Sequence, residues 1–404
     1  MSEEVISDDK AILFSRTAPT LVWAFIPINI TITPKANNAD FTLILDTPTL
    51  LIIIPNVPWN IQTWKSGNKK ASDKNDKPLS LLTDYCNYAC FGMKIESDVM
   101  NFTKMFKSYA GKIENTKNKK IIVSGMGGSG ISGDIASALC DAESPAQVVT
   151  WKNYGLPEWV TKQDYVICIS YSGNTEETLS AAKRAMEIGC ELYAITTGGK
   201  LKKEVTKYGG EVTVVETGHQ PRAALPLLLV PLLEKIGIDN LDEQIEEVRN
   251  ITFELKKAKH IAKKMHGKLP CIYSSSSLEC ISYRWRCQIE ENAKQMAFNH
   301  SLPEMNHNEI VGWTLPNDDL IVVTLRDSKE SSAMKKRFEN TINLAWKEKN
   351  VDIIEITASG KHLLARMMYL TVLGDLVSIE LAKLNAVDPT PVEIIEKLKI
   401  ELSK

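Results

Sequence analysis

The amino-acid sequence predicts an α/β fold with two doubly wound lobes, each a parallel sheet flanked by helices, preceded by an irregular N-terminal extension. From Met93 onward, apolar runs of strand length alternate with helix-length amphipathic segments, and this series occurs twice along the chain. Strands that are joined through helices run parallel and are buried on both faces. A chain of 404 residues is long enough for several such units.

The first series begins with the segment 93–113, whose apolar residues fall on one face of a helix. Strands are predicted over 120–124, 147–150, 165–170 and 192–195, followed by an apolar helix over 222–237. A charged helix over 242–266 leads into the second series. That series comprises strands over 269–275, 320–325 and 351–356 and helices over 277–297, 328–349 and 361–384. We therefore expect a first lobe over 93–240 and a second over 241–404.

Residues 1–92 differ from the rest of the chain in composition. They contain seven of the 17 prolines, two glycines and no histidine. Short β-branched runs such as "NITIT" (29–33) and "LLIII" (50–54) alternate with these prolines, and no helical period persists. We therefore expect an irregular or disordered extension without a helix-turn-helix or any other recognisable module.

Composition excludes several classes of function. Lys and Arg number 48 against 50 Asp and Glu, so the formal charge of −2 offers no basic footprint for nucleic acid or an anionic membrane. The eight cysteines are scattered and form no C-x-x-C pair, a pattern typical of a reduced, cytoplasmic protein. The most apolar stretch, residues 49–59, is interrupted by Pro55 and Pro58 before it reaches membrane-spanning length.

The segment "GMGGSGISGD" (125–134) follows a predicted strand and opens a helix. Gly125, Gly127 and Gly130 match the G-x-G-x-x-G spacing of dinucleotide-binding turns. Such a site also needs an acidic residue after the next strand to bind the ribose, and Trp151 and Lys152 occupy that place. The turn therefore indicates either a backbone-amide cradle for another anion or a tight turn without a ligand.

A second polar loop places Ser170, Ser172 and Thr175 between a predicted strand and a helix. Thr175 is a candidate helix cap, but three hydroxyls in six residues exceed what a cap requires, and Gly173 lets the backbone approach a ligand. Hydroxyls and helix N-terminal amides bind a phosphate monoester well. Because this loop and the glycine turn lie at the carboxyl ends of neighbouring strands, together they predict a sugar-phosphate site.

The stretches "MGGSGISGD" and "SYSGNTEET" resemble the signature of sugar isomerase (SIS) domains, and more narrowly the archaeal-type bifunctional phosphoglucose/phosphomannose isomerases of the phosphoglucose isomerase superfamily. The resemblance continues through "GHQPRAALP", "EENAKQMAFNHSLPEMNHNEIVGW" and "GDLVSIELAKLNAVDPTPVEIIEKLK". It covers Met93 to Lys404 and implies two SIS domains. Met93 lies where a family member is expected to begin, so residues 1–92 are expected to be an added tail or the product of a misplaced start codon.

The resemblance implies reversible aldose–ketose isomerisation of glucose 6-phosphate and mannose 6-phosphate to fructose 6-phosphate, through ring opening and a cis-enediolate. This chemistry needs a ring-opening group, a base that moves a proton between C1 and C2, and a positive group for the enediolate. Glu291 is the candidate base, and its neighbour Glu290 points about 100° away on the same helix. His307 fits a ring-opening acid–base, and the family suggests that it reaches the site from the partner subunit of a homodimer.

Three further residues are candidates for the reaction. Arg222 starts an apolar helix, where its guanidinium should find an anion; the family implies that it faces the enediolate, and Glu216 is an alternative partner. The resemblance makes Lys397 a second ring-opening group, with Lys399 as the alternative, and Thr390 a determinant of substrate breadth. If the last helix begins directly after Thr390, then Thr390 and Lys397 lie two turns apart on one face.

Two sets of residues are then expected to bind the substrate, without the help of a cofactor. The phosphate sits in the loop of Ser170, Ser172 and Thr175, while the turn of Gly127, Gly128 and Ser129 lines the sugar. No metal or organic cofactor is required by this chemistry.

Three alternatives stay open at this point. A metal site of His300, Glu304 and His307 is disfavoured because Pro303 breaks the helix that would align the ligands. A SIS-domain regulator that binds sugar phosphates would favour an attached DNA-binding module. An amino-sugar isomerase would need a glutaminase partner to supply ammonia, and nothing in the chain supplies the usual N-terminal cysteine nucleophile.

Overall fold

The computed structural model describes residues 30–34, 41–45, 95–109, 120–144, 146–316 and 318–402, and the chain divides into two compact units, residues 1–74 and 75–404. In the first unit, strand β1 (Ile30–Pro34) pairs antiparallel with β2 (Phe41–Leu45). The run "NITIT" therefore contains a strand. The remaining predictions for the extension, including the run "LLIII" and the possibility of disorder, fall outside the described residues.

The second unit contains two parallel sheets, the first of which has the strand order β4–β3–β5–β6–β7. Its strands are β3 (Lys120–Ser124), β4 (Gln147–Trp151), β5 (Tyr165–Ser170), β6 (Glu191–Thr196) and β7 (Glu211–Val214). The helices in this part of the chain are α1 (described over 95–100), α2 (Gly127–Glu143), α3 (Glu176–Ile188), α4 (Gly199–Tyr208) and α5 (Leu225–Ile236). Ile167 belongs to one buried apolar cluster and Val166 to another, so both faces of this sheet are covered.

The second sheet has the strand order β11–β10–β8–β9, again entirely parallel. Its strands are β8 (Leu269–Ser275), β9 (Phe298–Leu302), β10 (Leu320–Asp327) and β11 (Asp352–Ala358). The accompanying helices are α6 (Leu241–Arg249), α7 (Leu255–Met265), α8 (Glu279–Ala293), α9 (Ser332–Thr341), α10 (Leu363–Leu384) and α11 (Glu393–Leu402). The predicted α/β class with helix-flanked parallel sheets is confirmed.

Helices α8 and α10 pack closely against each other. A side chain at Gly374 would come within 2.4 Å of the Trp285 indole nitrogen, so only glycine permits this approach. Next to it, the guanidinium of Arg284 donates to the carboxylate of Asp375 at 2.7 Å, and both side chains are almost completely buried. A buried ion pair is tolerated where the charges are matched and hydrogen-bonded. Neither the 22-residue α10 nor any other described helix has the length and apolar character to cross a membrane.

Three predicted helices differ from the observed ones. The segment 93–113 is α-helical over 95–100 and continues as a 3-10 helix over Phe102–Met105. The segment 242–266 forms two helices, because the Asn250 side chain donates to the Glu246 carbonyl at 2.9 Å and ends α6. The segment 328–349 becomes helical only at Ser332 and ends in a π-helical turn and a 3-10 turn.

Strands β7 and β9 were not predicted from the sequence. Both are short strands at the edge of their sheets, and the ends of β7 are exposed at Glu211 and Val214. An edge strand lacks the continuous apolar run that marks a strand buried on both faces. The proposed lobe boundaries, 93–240 and 241–404, stay a prediction.

Candidate active site

The chain changes direction across the first sheet between β3 and β5. After β3 it moves outward to β4, and it then returns to place β5 on the other side of β3. In open α/β sheets, ligands bind at the carboxyl ends of the strands at this position. The glycine turn follows β3 and the Ser170 loop follows β5, and a side chain at Gly125 would come within 3.0 Å of the Ile169 carbonyl oxygen. The two predicted turns therefore lie side by side.

The glycine turn depends on close backbone approaches. Helix α2 begins at Gly127, directly after the turn. A side chain at Gly130 would come within 2.7 Å of the Gly125 carbonyl oxygen, and one at Gly128 within 3.2 Å of the Pro221 carbonyl oxygen. Ser129, in the first turn of α2, is buried. The first amides of α2 have no acceptors within the helix, so this end of the helix can bind an anion.

The Ser170 loop (residues 170–175) brings two of its three predicted hydroxyls together. The Ser170 and Thr175 hydroxyl oxygens are 2.9 Å apart, and Ser170 also accepts from the Gly173 amide at 3.1 Å. Thr175 occupies the cap position of α3, but its side chain makes no capping hydrogen bond. The expected cap role is therefore wrong for the hydroxyl, which pairs with Ser170. The Ser172 hydroxyl accepts from the Asn174 amide at 3.3 Å.

Arg222 is buried, with only 5% of its surface exposed. Its Nε donates to the Asn292 side-chain oxygen at 2.7 Å, and one Nη donates to the carbonyls of Pro389 and Thr390 at 2.5 and 3.0 Å. Burial lowers the pKa of this guanidinium, while the carboxylate of Glu291 opposes that shift. Because the intrinsic pKa of arginine lies so high, the group keeps its charge.

Arg222 lies before α5 rather than inside it, and its anionic neighbour is Glu291. The nearest Glu291 carboxylate oxygen lies 3.9 Å from Arg222 Nε. Glu216, the alternative partner considered from the sequence, instead pairs with Lys107 at 3.7 Å. Arg222 therefore faces the carboxylate that the family resemblance names as the base.

Glu290 and Glu291 have different surroundings near the end of α8. Glu290 pairs with Arg286 one turn earlier, at 3.8 Å, and burial raises the pKa of its carboxyl group. The Glu291 carboxylate faces Arg222 and is about one-third exposed, at 31%. It therefore combines a fixed positive neighbour with access from outside, as a base must.

Two residues next to Glu291 were not predicted as functional. Asn292 is completely buried, holds Arg222 and donates to the Ser378 hydroxyl at 2.8 Å. Lys294 donates to the carbonyls of Glu291 and of Pro391, the latter at 2.7 Å. Burial, followed by the charge of Arg222, lowers the pKa of Lys294. A polar residue near a helix end is usually solvated, so only long-range packing could identify either one.

Thr390 and Lys397 are not on one helix. Helix α11 begins at Glu393, three residues beyond Thr390, because the Thr390 amide donates to the Asp388 carboxylate at 2.8 Å and the segment turns there. Thr390 is buried beside Arg222. Lys397 is 76% exposed and pairs with Glu393 at 3.6 Å, so the expected shared helical face is wrong.

His307 is exposed at the end of a short 3-10 helix after β9. Within the described ranges, no hydrogen bond or ion pair connects His307 or Lys397 to Arg222, Glu291 or the Ser170 loop. The residues of the alternative metal site have separate partners, since His300 pairs with Glu309 at 2.7 Å and Glu304 accepts from Asn308 at 2.9 Å. No cluster of three potential metal ligands occurs in the described part of the chain.

The arrangement therefore combines hydroxyls and helix amides for a phosphate, small residues that leave room beside them, and a carboxylate next to a buried guanidinium.

Comparison with known proteins relates this chain to a family. The profile described as "Bacterial phospho-glucose isomerase C-terminal SIS domain" matches residues 254–402. A hypothetical protein from Thermus thermophilus has the same fold, with a TM-score of 0.60 at 14% identity over 80% of this chain and 96% of that one.

Curated relatives match at higher identity. The bifunctional phosphoglucose/phosphomannose isomerase of Aquifex aeolicus is 39% identical over 72% of this chain and 92% of its own length. The protein of the same name from Caldicellulosiruptor bescii is 39% identical over 70% of this chain and 90% of its own length. The chain therefore belongs to the bifunctional phosphoglucose/phosphomannose isomerase family.

Proposed function

We propose that this protein interconverts glucose 6-phosphate or mannose 6-phosphate and fructose 6-phosphate. The observation that carries the proposal is the Arg222–Glu291 pair, 3.9 Å apart, in a chain that also sets the glycine turn against the Ser170 loop. Isomerisation moves one proton between C1 and C2 through a charged enediolate. That reaction needs a base and a fixed positive charge close together.

The Ser170 loop binds the phosphate in this proposal. The hydroxyls of Ser170, Ser172 and Thr175 and the first amides of α3 supply donors for the phosphate oxygens. Gly127, Gly128 and Ser129 line the sugar, and at Gly128 a side chain would come within 3.2 Å of the Pro221 carbonyl oxygen, so a larger residue does not fit there. The bound phosphate holds the C6 end of the sugar in place, so the reacting carbons C1 and C2 lie at a constant position relative to Glu291.

Glu291 takes the proton from C2 of the open-chain aldose and returns it to C1, while a second proton moves between O1 and O2. Arg222 stabilises the negative oxygen of the enediolate, and its position is fixed by three hydrogen bonds to the protein. A guanidinium that needs no reorganisation in the transition state lowers the barrier most effectively. Thr390 is small enough to leave room for rotation about C2–C3, so that the same base serves both C2 epimers.

Ring opening is assigned to His307 and Lys397, with His307 supplied by the partner subunit of a homodimer. The surroundings of His307 support this assignment. Its side chain is exposed, and so are Val311, Leu315 and Leu344, with exposed fractions of 70%, 88% and 59%. Apolar side chains exposed to this degree are typical of an interaction surface, and a two-fold dimer would place each His307 against the other copy.

The proposal also covers the location of the protein in the cell and the molecules that take part in the reaction. We propose a cytoplasmic location, supported by the free thiols of Cys140, Cys168, Cys190, Cys271, Cys280 and Cys287. No step of the mechanism uses a metal or an organic cofactor. The substrates are sugar phosphates, and no nucleic acid or membrane takes part.

The test is fructose 6-phosphate formation by the full-length protein, from glucose 6-phosphate and mannose 6-phosphate separately, with EDTA present. We expect turnover of both. Glu291→Gln should lower kcat by at least about 10²–10³-fold, whereas Glu290→Gln, its neighbour on α8, should stay within a few-fold of wild type.

Each outcome of this test has a consequence. Full activity of Glu291→Gln would refute the assignment of the base. Turnover of glucose 6-phosphate alone would refute the Thr390 argument but keep the chemistry. Inhibition by EDTA would refute the metal-free mechanism. Binding of sugar phosphates without turnover would favour a regulator, and turnover only with an ammonia donor would favour an amino-sugar isomerase.

A further inference from the structure

Asp98 of α1 holds the turn that carries Arg222, which we define as residues 219–222. One Asp98 carboxylate oxygen accepts from the Gln220 amide at 3.0 Å, and the other lies 2.8 Å from His219 Nδ1. Asp98 is buried, since only 8% of its surface is exposed. A buried carboxylate with both oxygens hydrogen-bonded fixes the groups that it contacts.

The same turn also contacts both substrate-binding loops. The His219 amide donates to the Tyr171 hydroxyl at 3.0 Å, and Tyr171 directly follows Ser170. On the other side, a side chain at Gly128 would come within 3.2 Å of the Pro221 carbonyl oxygen. The turn 219–222 is therefore fixed by α1, the Ser170 loop and the glycine turn before Arg222 reaches across to Glu291.

We propose that Asp98 is a positioning residue for Arg222, acting through the Gln220 amide and the His219 ring. This inference rests on the proposed function, because it assigns a role in stabilising the enediolate. Arg222 has fixed partners at its guanidinium end, the Asn292 oxygen and two carbonyls. At the backbone end, the Arg222 carbonyl accepts from Arg284 at 2.9 Å, and Asp98 fixes residues 219 and 220 of the same turn, so Arg222 is held at both ends.

The consequence is specific to one stage of the reaction. A displacement of about 1 Å at a reacting group costs up to about 10²-fold in rate. Loss of Asp98 leaves the hydroxyls of the Ser170 loop in place, because Ser170 is held by Thr175 and the Gly173 amide. The phosphate should therefore bind normally while stabilisation of the enediolate weakens.

Three variants of Asp98 and its partner test this inference in the full-length protein. Asp98→Ala removes both contacts and should lower kcat about 10- to 100-fold. Asp98→Asn can accept from the Gln220 amide and donate to the other tautomer of His219, so it should restore kcat to within about threefold of wild type. His219→Ala keeps the Gln220 contact and should give an intermediate kcat.

The decisive measurement compares two ligands in each variant. The first is inorganic phosphate, and the second is a five-carbon hydroxamate phosphate that mimics the enediolate. For Asp98→Ala, affinity for the mimic should fall by about the same factor as kcat, while affinity for inorganic phosphate should change by less than about threefold. A variant that is merely less stable would keep both affinities in its folded fraction.

Asp164→Ala is the matched control. Asp164 is equally buried and holds the Thr161 amide at 2.7 Å, but it precedes the amino end of β5, whereas the Ser170 loop follows the carboxyl end. This variant should lower the melting temperature without changing affinity for the mimic.

Failure of the inference and failure of the proposed function are distinguishable. Wild-type protein without isomerase activity would refute the function. With wild type active, the positioning role would be refuted by unchanged affinity of Asp98→Ala for the mimic, or by an equal loss of affinity for inorganic phosphate. It would also be refuted if Asp98→Asn were as impaired as Asp98→Ala. If Asp98→Ala does not fold, His219→Ala decides, and unchanged affinity for the mimic in that variant would refute the role.

Discussion

Replacing Arg222 with lysine should damage both catalysis and stability while keeping the positive charge. The guanidinium uses two different nitrogens to reach three acceptors, the Asn292 oxygen at 2.7 Å and the Pro389 and Thr390 carbonyls at 2.5 and 3.0 Å. A lysine ammonium is a single point and cannot reproduce that planar fork. Because Arg222 is only 5% exposed, water cannot readily replace the lost donors.

The magnitude follows from the number of acceptors. A buried acceptor left without a partner costs about 1–3 kcal/mol. If the ammonium satisfies one of the three, the free energy of unfolding should fall by roughly 2–6 kcal/mol, the cost of the other two. Removing one preorganised donor from a developing oxyanion typically lowers kcat by about 10²–10³-fold. The KM for the sugar phosphate should change much less, because the Ser170 loop is not touched.

The assay measures kcat and KM for fructose 6-phosphate formation together with urea unfolding of Arg222→Lys. The matched control is Arg184→Lys on α3, where the arginine is 42% exposed and pairs with Glu187 at 3.5 Å. An exposed pair of this kind contributes about 0–1 kcal/mol, so the control should resemble wild type. If Arg222→Lys kept wild-type kcat and stability, neither the hydrogen-bonded fork nor its role at the enediolate could be correct.

Two further predictions concern the Ser170 loop and alkaline pH. Gly173→Ala would place a side chain 2.0 Å from the Gly198 carbonyl oxygen at a φ of +68°, so KM should rise at least about tenfold. Its control is Gly189→Ala, at a φ of +85° with open space around it, which should cost about 1–2 kcal/mol of stability and leave KM unchanged. An equal KM in both variants would contradict the loop assignment. Burial raises the pKa of the Cys168 thiol to about 12, whereas an unfolded cysteine ionises at about pH 8.5. As the pH rises, the unfolded state therefore loses its proton first. This contribution to stability is complete below about pH 8.5 and declines as the pH rises toward 12. Between pH 8 and pH 10, the free energy of unfolding measured in urea should fall more for wild type than for Cys168→Ala.

Most of the predicted strands match the observed ones to within one residue, whereas β10 and β11 end two residues beyond their predicted ends. β3 and β5 are continuous apolar runs, and each extends over the predicted residues. Their packing needs little more than apolar character at every position. β7 was missed because its four residues, Glu211–Val214, alternate polar and apolar side chains instead of forming a continuous apolar run.

The candidate site could be predicted only where its residues form local motifs. The hydroxyls of the Ser170 loop lie within six residues, and their proximity follows from a single turn. The partners of Arg222 do not: the Thr390 carbonyl is 168 residues away in the chain. No local pattern in the sequence shows that two main-chain carbonyls, rather than an acidic side chain, would accept most of the hydrogen bonds that this guanidinium donates.

The proposed base and the proposed phosphate loop follow strands of different sheets, so the proposed mechanism depends on the packing that joins them. Glu291 lies on α8, which follows β8 of the second sheet, whereas the Ser170 loop follows β5 of the first. The Arg284 guanidinium of α8 binds both Asp375 of α10, at 2.7 Å, and the Arg222 carbonyl, at 2.9 Å. This buried arginine therefore connects the helix that carries Glu291 to the turn that carries Arg222. A change in the packing of α8 against α10 should therefore alter the distance between Arg222 and Glu291, and with it the reaction rate, although neither residue lies in α10.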